Sequence, residues 1–119
     1  MAHILLAEDD DSLRRFLTRA LERAGHSVVA VADGTEAVPL LSPNAFDLLL
    51  ADIVMSGMDG IALAQRASWA MPTARVMLIT GFAAVALKAR NLLQPRTKIV
   101  SKPFHLRGLV DEVDKLLAA

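Results

Sequence analysis

The sequence predicts an α/β domain built on a doubly wound parallel sheet, and three observations point to it. Short apolar runs alternate with helix-favouring stretches about five times along the chain. The connections are short, and strict strand–helix alternation implies parallel strands, right-handed crossovers and helices on both faces of the sheet. The third observation is polar. Glu8 and Asp9, Asp52, Thr80 and Lys102 each stand where an apolar run stops. In an open parallel sheet the carboxyl ends of the strands share one edge, and ligands bind there.

The central stretch is Phe46-Asp47-Leu48-Leu49-Leu50-Ala51-Asp52, a run apolar enough to be buried on both faces and ending on an acid. The chain has 119 residues, enough for one domain over 1–119 and too few for two, with no output domain expected after it. A hydrophobic share of 54% sets it among folded proteins, and an aromatic share of 4% makes the core aliphatic. Thirteen acids balance thirteen lysines and arginines, which argues against a nucleic-acid partner bound through a broad basic face. There is no cysteine for disulfide or thiolate chemistry. The start lacks a basic leader and no segment is long enough to span a membrane, so a cytoplasmic protein is expected.

The elements follow in order. Residues 3–7 form the first strand and run into Glu8-Asp9-Asp10-Asp11. Asp10 or Asp11 suits the N-terminus of the next helix, over 12–24. There Leu13, Phe16, Leu17, Ala20, Leu21 and Ala24 recur at helical spacing, and Gly25 ends it. Residues 27–31 are the second strand. A helix over 35–41 contains Pro39, which removes a backbone hydrogen bond, so it is expected to be short or kinked. The third strand ends at Asp52, and a helix over 61–70 follows Gly60, with Trp69 near its end read as packed. The fourth strand, 75–79, ends at Thr80-Gly81, and 83–93 has helical composition. The fifth strand, 98–101, ends at Lys102-Pro103-Phe104. A last helix over 106–117 carries Leu106, Leu109, Val110, Val113, Leu116 and Leu117 on its apolar face.

Taken singly, the edge residues are unremarkable: Asp9 reads as a capping acid, Thr80 as a strand-ending threonine, Lys102 as a solvated lysine. Together they describe a site. Three carboxylates in one crevice need a cation to offset their repulsion, and oxygen ligands favour a hard ion such as Mg²⁺. A lysine and a hydroxyl beside them suit the oxygens of a phosphoryl group, and an aspartate can itself be the nucleophile.

The chain resembles the receiver domains of two-component response regulators over essentially its whole length. The matching residues are Glu8-Asp9, Asp52 with residues 55–60, Thr80-Gly81 and Lys102-Pro103-Phe104. The resemblance implies a flavodoxin-like (βα)5 fold with strand order 2-1-3-4-5. It implies that Asp52 accepts a phosphoryl group from a phosphohistidine donor, a histidine phosphotransferase or hybrid histidine kinase. It implies Mg²⁺ held by Glu8, Asp9, Asp52 and the Val54 backbone carbonyl, with Thr80 moving toward the phosphoryl group, Lys102 contacting it and a cis Lys102–Pro103 bond. Three positions depart from the family: Ser56 stands where proline is common, Ile99 where an aromatic switch residue is common, and Pro39 interrupts the second helix.

A narrower resemblance, to single-domain cell-cycle regulators of alphaproteobacteria, rests on residues 6–14, 79–87 and 101–106. It implies a monomer whose unphosphorylated form primes the ClpXP protease for cell-cycle substrates by engaging ClpX. The readout surface would be residues 83–93, the fifth strand and the last helix. The terminal Leu116-Leu117-Ala118-Ala119 resembles tags that ClpX recognises. A phosphorelay intermediate or chemotaxis-like regulator is the competing class. A phosphohydrolase turning over outside substrates is disfavoured, because Ile53 and Val54 follow Asp52 where such enzymes place a second acid. Slow self-dephosphorylation is the most that is expected.

Overall fold

β1 (His3–Ala7), β2 (Ser27–Val31), β3 (Leu48–Asp52), β4 (Arg75–Thr80) and β5 (Lys98–Ser101) form one sheet in the order β2-β1-β3-β4-β5. Every pairing is parallel. The structure is a computed structural model, and it describes residues 1–82, 85, 89–90, 97–102 and 105–118. The flavodoxin-like order is thus the one expected.

β1 from Ile4 and β3 as far as Ala51 are apolar without interruption because both of their faces are covered. Successive side chains point to opposite faces of a strand. Leu5, Ala7, Leu49, Ala51 and Leu78 accordingly join one core with Leu63, Ala64 and Ala67 of α3 (Gly60–Ala70). Ile4, Leu6, Leu48, Leu50, Met77 and Ile79 join the other, with Leu17 and Leu21 of α1 (Asp11–Arg23) and Leu109 and Val113 of α4 (Leu106–Ala118).

Aspartates start three helices. Asp10 accepts from the Leu13 N–H at 2.8 Å, Asp33 from Glu36 N–H at 2.9 Å, and Asp59 from Ala62 N–H at 2.8 Å. Each cap contributes about 1 kcal/mol and sets where its helix begins. α2 (Gly34–Ala37) passes at once into a 3₁₀ turn, Val38–Leu40, which contains Pro39. The second helix is therefore as short as the proline demands.

Two apolar residues lie elsewhere than periodicity places them. Phe16, read on the buried stripe of the first helix, is 61% exposed, and Trp69, read as packed, is 89% exposed. Trp69 instead borders an open groove with Val38, Leu41, Ala62, Gln65, Arg66 and Ala70. At the other end of the strands, His26 ties three segments together. Its Nδ1 accepts from the Ala2 N–H at 3.2 Å, and its Nε2 lies 2.7 Å from Asp114 Oδ1 on α4. Most of the helix expected over 83–93, the Lys102–Pro103 bond, Phe104 and Ala119 lie outside the described residues; of 83–93, Ala89 is described and buried.

Candidate functional site

The strand order brings the polar ends together. Glu8 follows β1 and Asp52 ends β3, the two strands at which the chain's winding direction reverses. Glu8 is 1% exposed. Its N–H continues the ladder to Val31 O at 3.1 Å, and its Oε2 accepts from the Asp10 N–H at 3.1 Å. Its Oε1 is buried without a hydrogen-bond partner among the described residues. Asp9 is exposed, and its Oδ2 accepts from the Ser56 N–H at 3.3 Å. A proline at 56 has no N–H to offer, so this departure from the family ties Asp9 to the loop after β3.

Asp52 is 6% exposed. Its Oδ1 accepts from the Val54 N–H at 3.2 Å, which brings that peptide beside the acids, and its Oδ2 accepts from Lys102 Nζ at 2.8 Å. The loop after it is drawn tight. Gly57 takes a left-handed φ of 73°, and Gly60 N–H donates to Ile53 O at 2.8 Å. A Cβ at Gly60 would be driven into the Asp52 carbonyl and lie 2.8 Å from Ile53 Cα, so only glycine lets α3 start this close to the acid.

Thr80 ends β4 and is 1% exposed. Its Oγ1 accepts from the Phe82 N–H at 3.1 Å, and its carbonyl accepts from the Lys102 N–H at 2.8 Å. The threonine and the lysine are thus joined through the backbone. Ile99 sits opposite Leu78 and packs, half-buried, against the core on the α3 side. Phe82 is 59% exposed.

Carboxylate oxygens of Glu8, Asp9 and Asp52 lie within 4.8 Å of one another. Burial, foremost, pushes the Glu8 carboxyl up to about 7; the Asp10 N–H pulls it back, and the Asp52 carboxylate raises it again. For Lys102, burial favours the neutral amine, but the Asp52 hydrogen bond and the charges of Asp52, Glu8 and Asp10 outweigh it and hold the ammonium above its usual range. A buried carboxyl that resists ionisation, with one oxygen free and two acids beside it, is a site short of positive charge. An all-oxygen donor set of this kind fits a hard divalent cation.

All four strand-end positions named from the sequence meet at this edge: Glu8 with Asp9, Asp52, Thr80 and Lys102. Arg14 was not singled out, and it belongs here. Its Nη1 donates to the Glu8 carbonyl at 2.9 Å and its Nη2 to Asp11 Oδ1 at 2.6 Å. On the sequence it was one more charge on the polar side of a helix. Its place in the first turn after four acids is the only signal that sets it apart.

This site on this fold defines the class, and the chain belongs to the response regulator receiver domain family, whose pattern matches residues 4–114. Response regulator receiver protein CpdR of Brucella abortus (strain 2308) is 52% identical to it over 119 residues, covering 100% of this chain and 99% of that protein. Sensor kinase CckA of the same organism is 33% identical over 98% of this chain, which spans only 12% of that kinase. Among solved structures, a response regulator receiver protein from Sinorhizobium medicae WSM419 superposes with a TM-score of 0.89 at 34% identity, covering 98% of this chain and 94% of that one. Among the described residues no helix is long and apolar enough to cross a membrane.

Proposed function

We propose that the chain is a stand-alone, cytoplasmic, monomeric response regulator phosphorylated on Asp52, and that its unphosphorylated form is an adaptor priming ClpXP for cell-cycle substrates. The observation that carries the chemistry is the carboxylate of Asp52, buried at a strand end, with Lys102 at 2.8 Å and two further acids beside it. Glu8, Asp9, Asp52 and the Val54 carbonyl would hold Mg²⁺, which supplies charge neutralisation when phosphoryl oxygens arrive. An Asp52 oxygen attacks the phosphorus of a phosphohistidine. The O–P bond forms as the P–N bond breaks, and the imidazole leaves. Lys102 is placed to bind a phosphoryl oxygen, and Thr80 to turn its hydroxyl toward another. The donor is a histidine phosphotransferase or hybrid histidine kinase. Ile53 and Val54 follow Asp52 where phosphohydrolases place a second acid, so loss of the phosphoryl group is slow self-hydrolysis rather than turnover of other substrates.

Phosphorylation replaces the single negative charge of the Asp52 carboxylate by a phosphoryl group carrying about −1.5 to −2, and the added charge favours one arrangement of the linked Thr80 and Lys102 over another. The adaptor reading rests on the likeness to CpdR over the whole length of both chains. Binding to the ClpX amino-terminal domain, with and without Mg²⁺ and beryllofluoride, tests it. Binding lost with the phosphoryl mimic supports the adaptor. No binding in either state favours the phosphorelay reading, which the likeness to the CckA sequence also supports.

A further inference from the structure

The four acids after β1 have separate tasks. Glu8 is buried, Asp9 bonds the Ser56 N–H, Asp10 caps α1, and Asp11 pairs with Arg14. Among the described residues, Arg14 alone reaches both ends of this loop. One arm of its guanidinium holds the main chain at Glu8, 2.9 Å away, and the other holds the Asp11 side chain at 2.6 Å. Its side chain is 22% exposed, where that of Asp11 is 75% exposed. An i,i+3 surface pair alone contributes little to stability. The bond to the Glu8 carbonyl makes Arg14 more than that, because it pins the peptide that carries the buried carboxylate.

We propose that Arg14 is a positioning residue for the cation site, clamping the Glu8 main chain against the start of α1 so that the Glu8 and Asp9 carboxylates stand in place before the cation arrives. The proposal rests on the reading of Glu8, Asp9 and Asp52 as cation ligands. It has a distinctive sign. By charge alone, deleting a cation beside this cluster strengthens binding of Mg²⁺. Loss of a clamp weakens it, and loss of groups that orient metal ligands typically costs 10–100-fold in affinity. Lysine keeps the charge but lacks the planar fork that holds two acceptors at once.

The experiment is calorimetric titration of Mg²⁺ into the wild-type chain, R14Q, R14K and the control R15Q, with no phosphodonor present. Arg14→Gln is expected to weaken binding about tenfold. Arg14→Lys should restore only part of the loss, and Arg15→Gln should bind as well as wild type or slightly tighter. Should R14Q fail to fold, R14K decides alone: weakened binding with the charge retained supports the clamp. Equal or tighter binding by both Arg14 variants overturns the proposal and leaves the cation site standing. Absence of Mg²⁺ binding by the wild type overturns the cation site and Arg14's role with it.

Discussion

Lys102 Nζ and Asp52 Oδ2 lie 2.8 Å apart although fifty positions separate them in the chain. The lysine draws on the same carboxylate that a bound cation would share. It both stabilises the charge of Asp52 and competes for it. Lys102→Ala should therefore bind Mg²⁺ more tightly, by about tenfold, equivalent to about 1.4 kcal/mol, while its phosphorylation by a phosphohistidine donor slows. Metal titration and phosphorylation rates on the same preparation check both; tighter binding with undiminished rate would remove Lys102 from the chemistry.

Glu8 gives the metal-free protein a pH dependence of definite sign. Its folded-state value of about 7 stands above the 4.5 of a free glutamate. Between those values the folded state holds a proton that the unfolded chain has released, so the contribution of Glu8 to stability is fully present below 4.5 and is lost as pH rises through about 7. Thermal midpoints in chelator should show this decline, saturating Mg²⁺ should remove it, and Glu8→Gln should abolish it in chelator.

Gly60 tests how closely α3 approaches Asp52. Gly60→Ala forces a methyl group against the Asp52 carbonyl. The cost of such overpacking is about 1–3 kcal/mol, readable as a lowered denaturation midpoint. A neutral substitution would mean that the loop after β3 yields easily.

His26 offers a prediction away from the site. Because its Nδ1 accepts from the Ala2 N–H, the proton of the neutral ring sits on Nε2, facing Asp114. Nitrogen chemical shifts of the neutral ring should report that tautomer. His26→Ala should lower stability by about 1 kcal/mol through loss of the bonds that its ring makes to the Ala2 N–H and to Asp114.

What the sequence revealed, and what it concealed, follows from periodicity. Glu8, Asp52, Thr80 and Lys102 were legible because a parallel sheet aligns its strand ends, so position along the chain converts directly into position in space. Arg14 was not, since one arginine on a polar helix face looks like any other until the loop before it is folded. Trp69 was misread for a geometric reason. Ala67 is buried, and a residue two positions on points about 200° away around the helix. Phe16 lies about 100° from the buried Leu17, just off the stripe that reaches the sheet. Hydrophobicity alone marks both as core; only the width of the covered face excludes them. The lone tryptophan should accordingly show the red-shifted, readily quenched fluorescence of a wet indole, and a blue-shifted, protected emission would place it in an interior.

Phosphorylation of Asp52 is the claim on which the functional account turns. Incubation with a small phosphoryl donor such as acetyl phosphate, with and without Mg²⁺, followed by mass spectrometry of the intact chain and its peptides, tests it most directly. The account predicts a gain of one phosphoryl group that requires Mg²⁺, maps to Asp52 and is absent in Asp52→Asn. A gain that persists in Asp52→Asn, or maps to another residue, would contradict it.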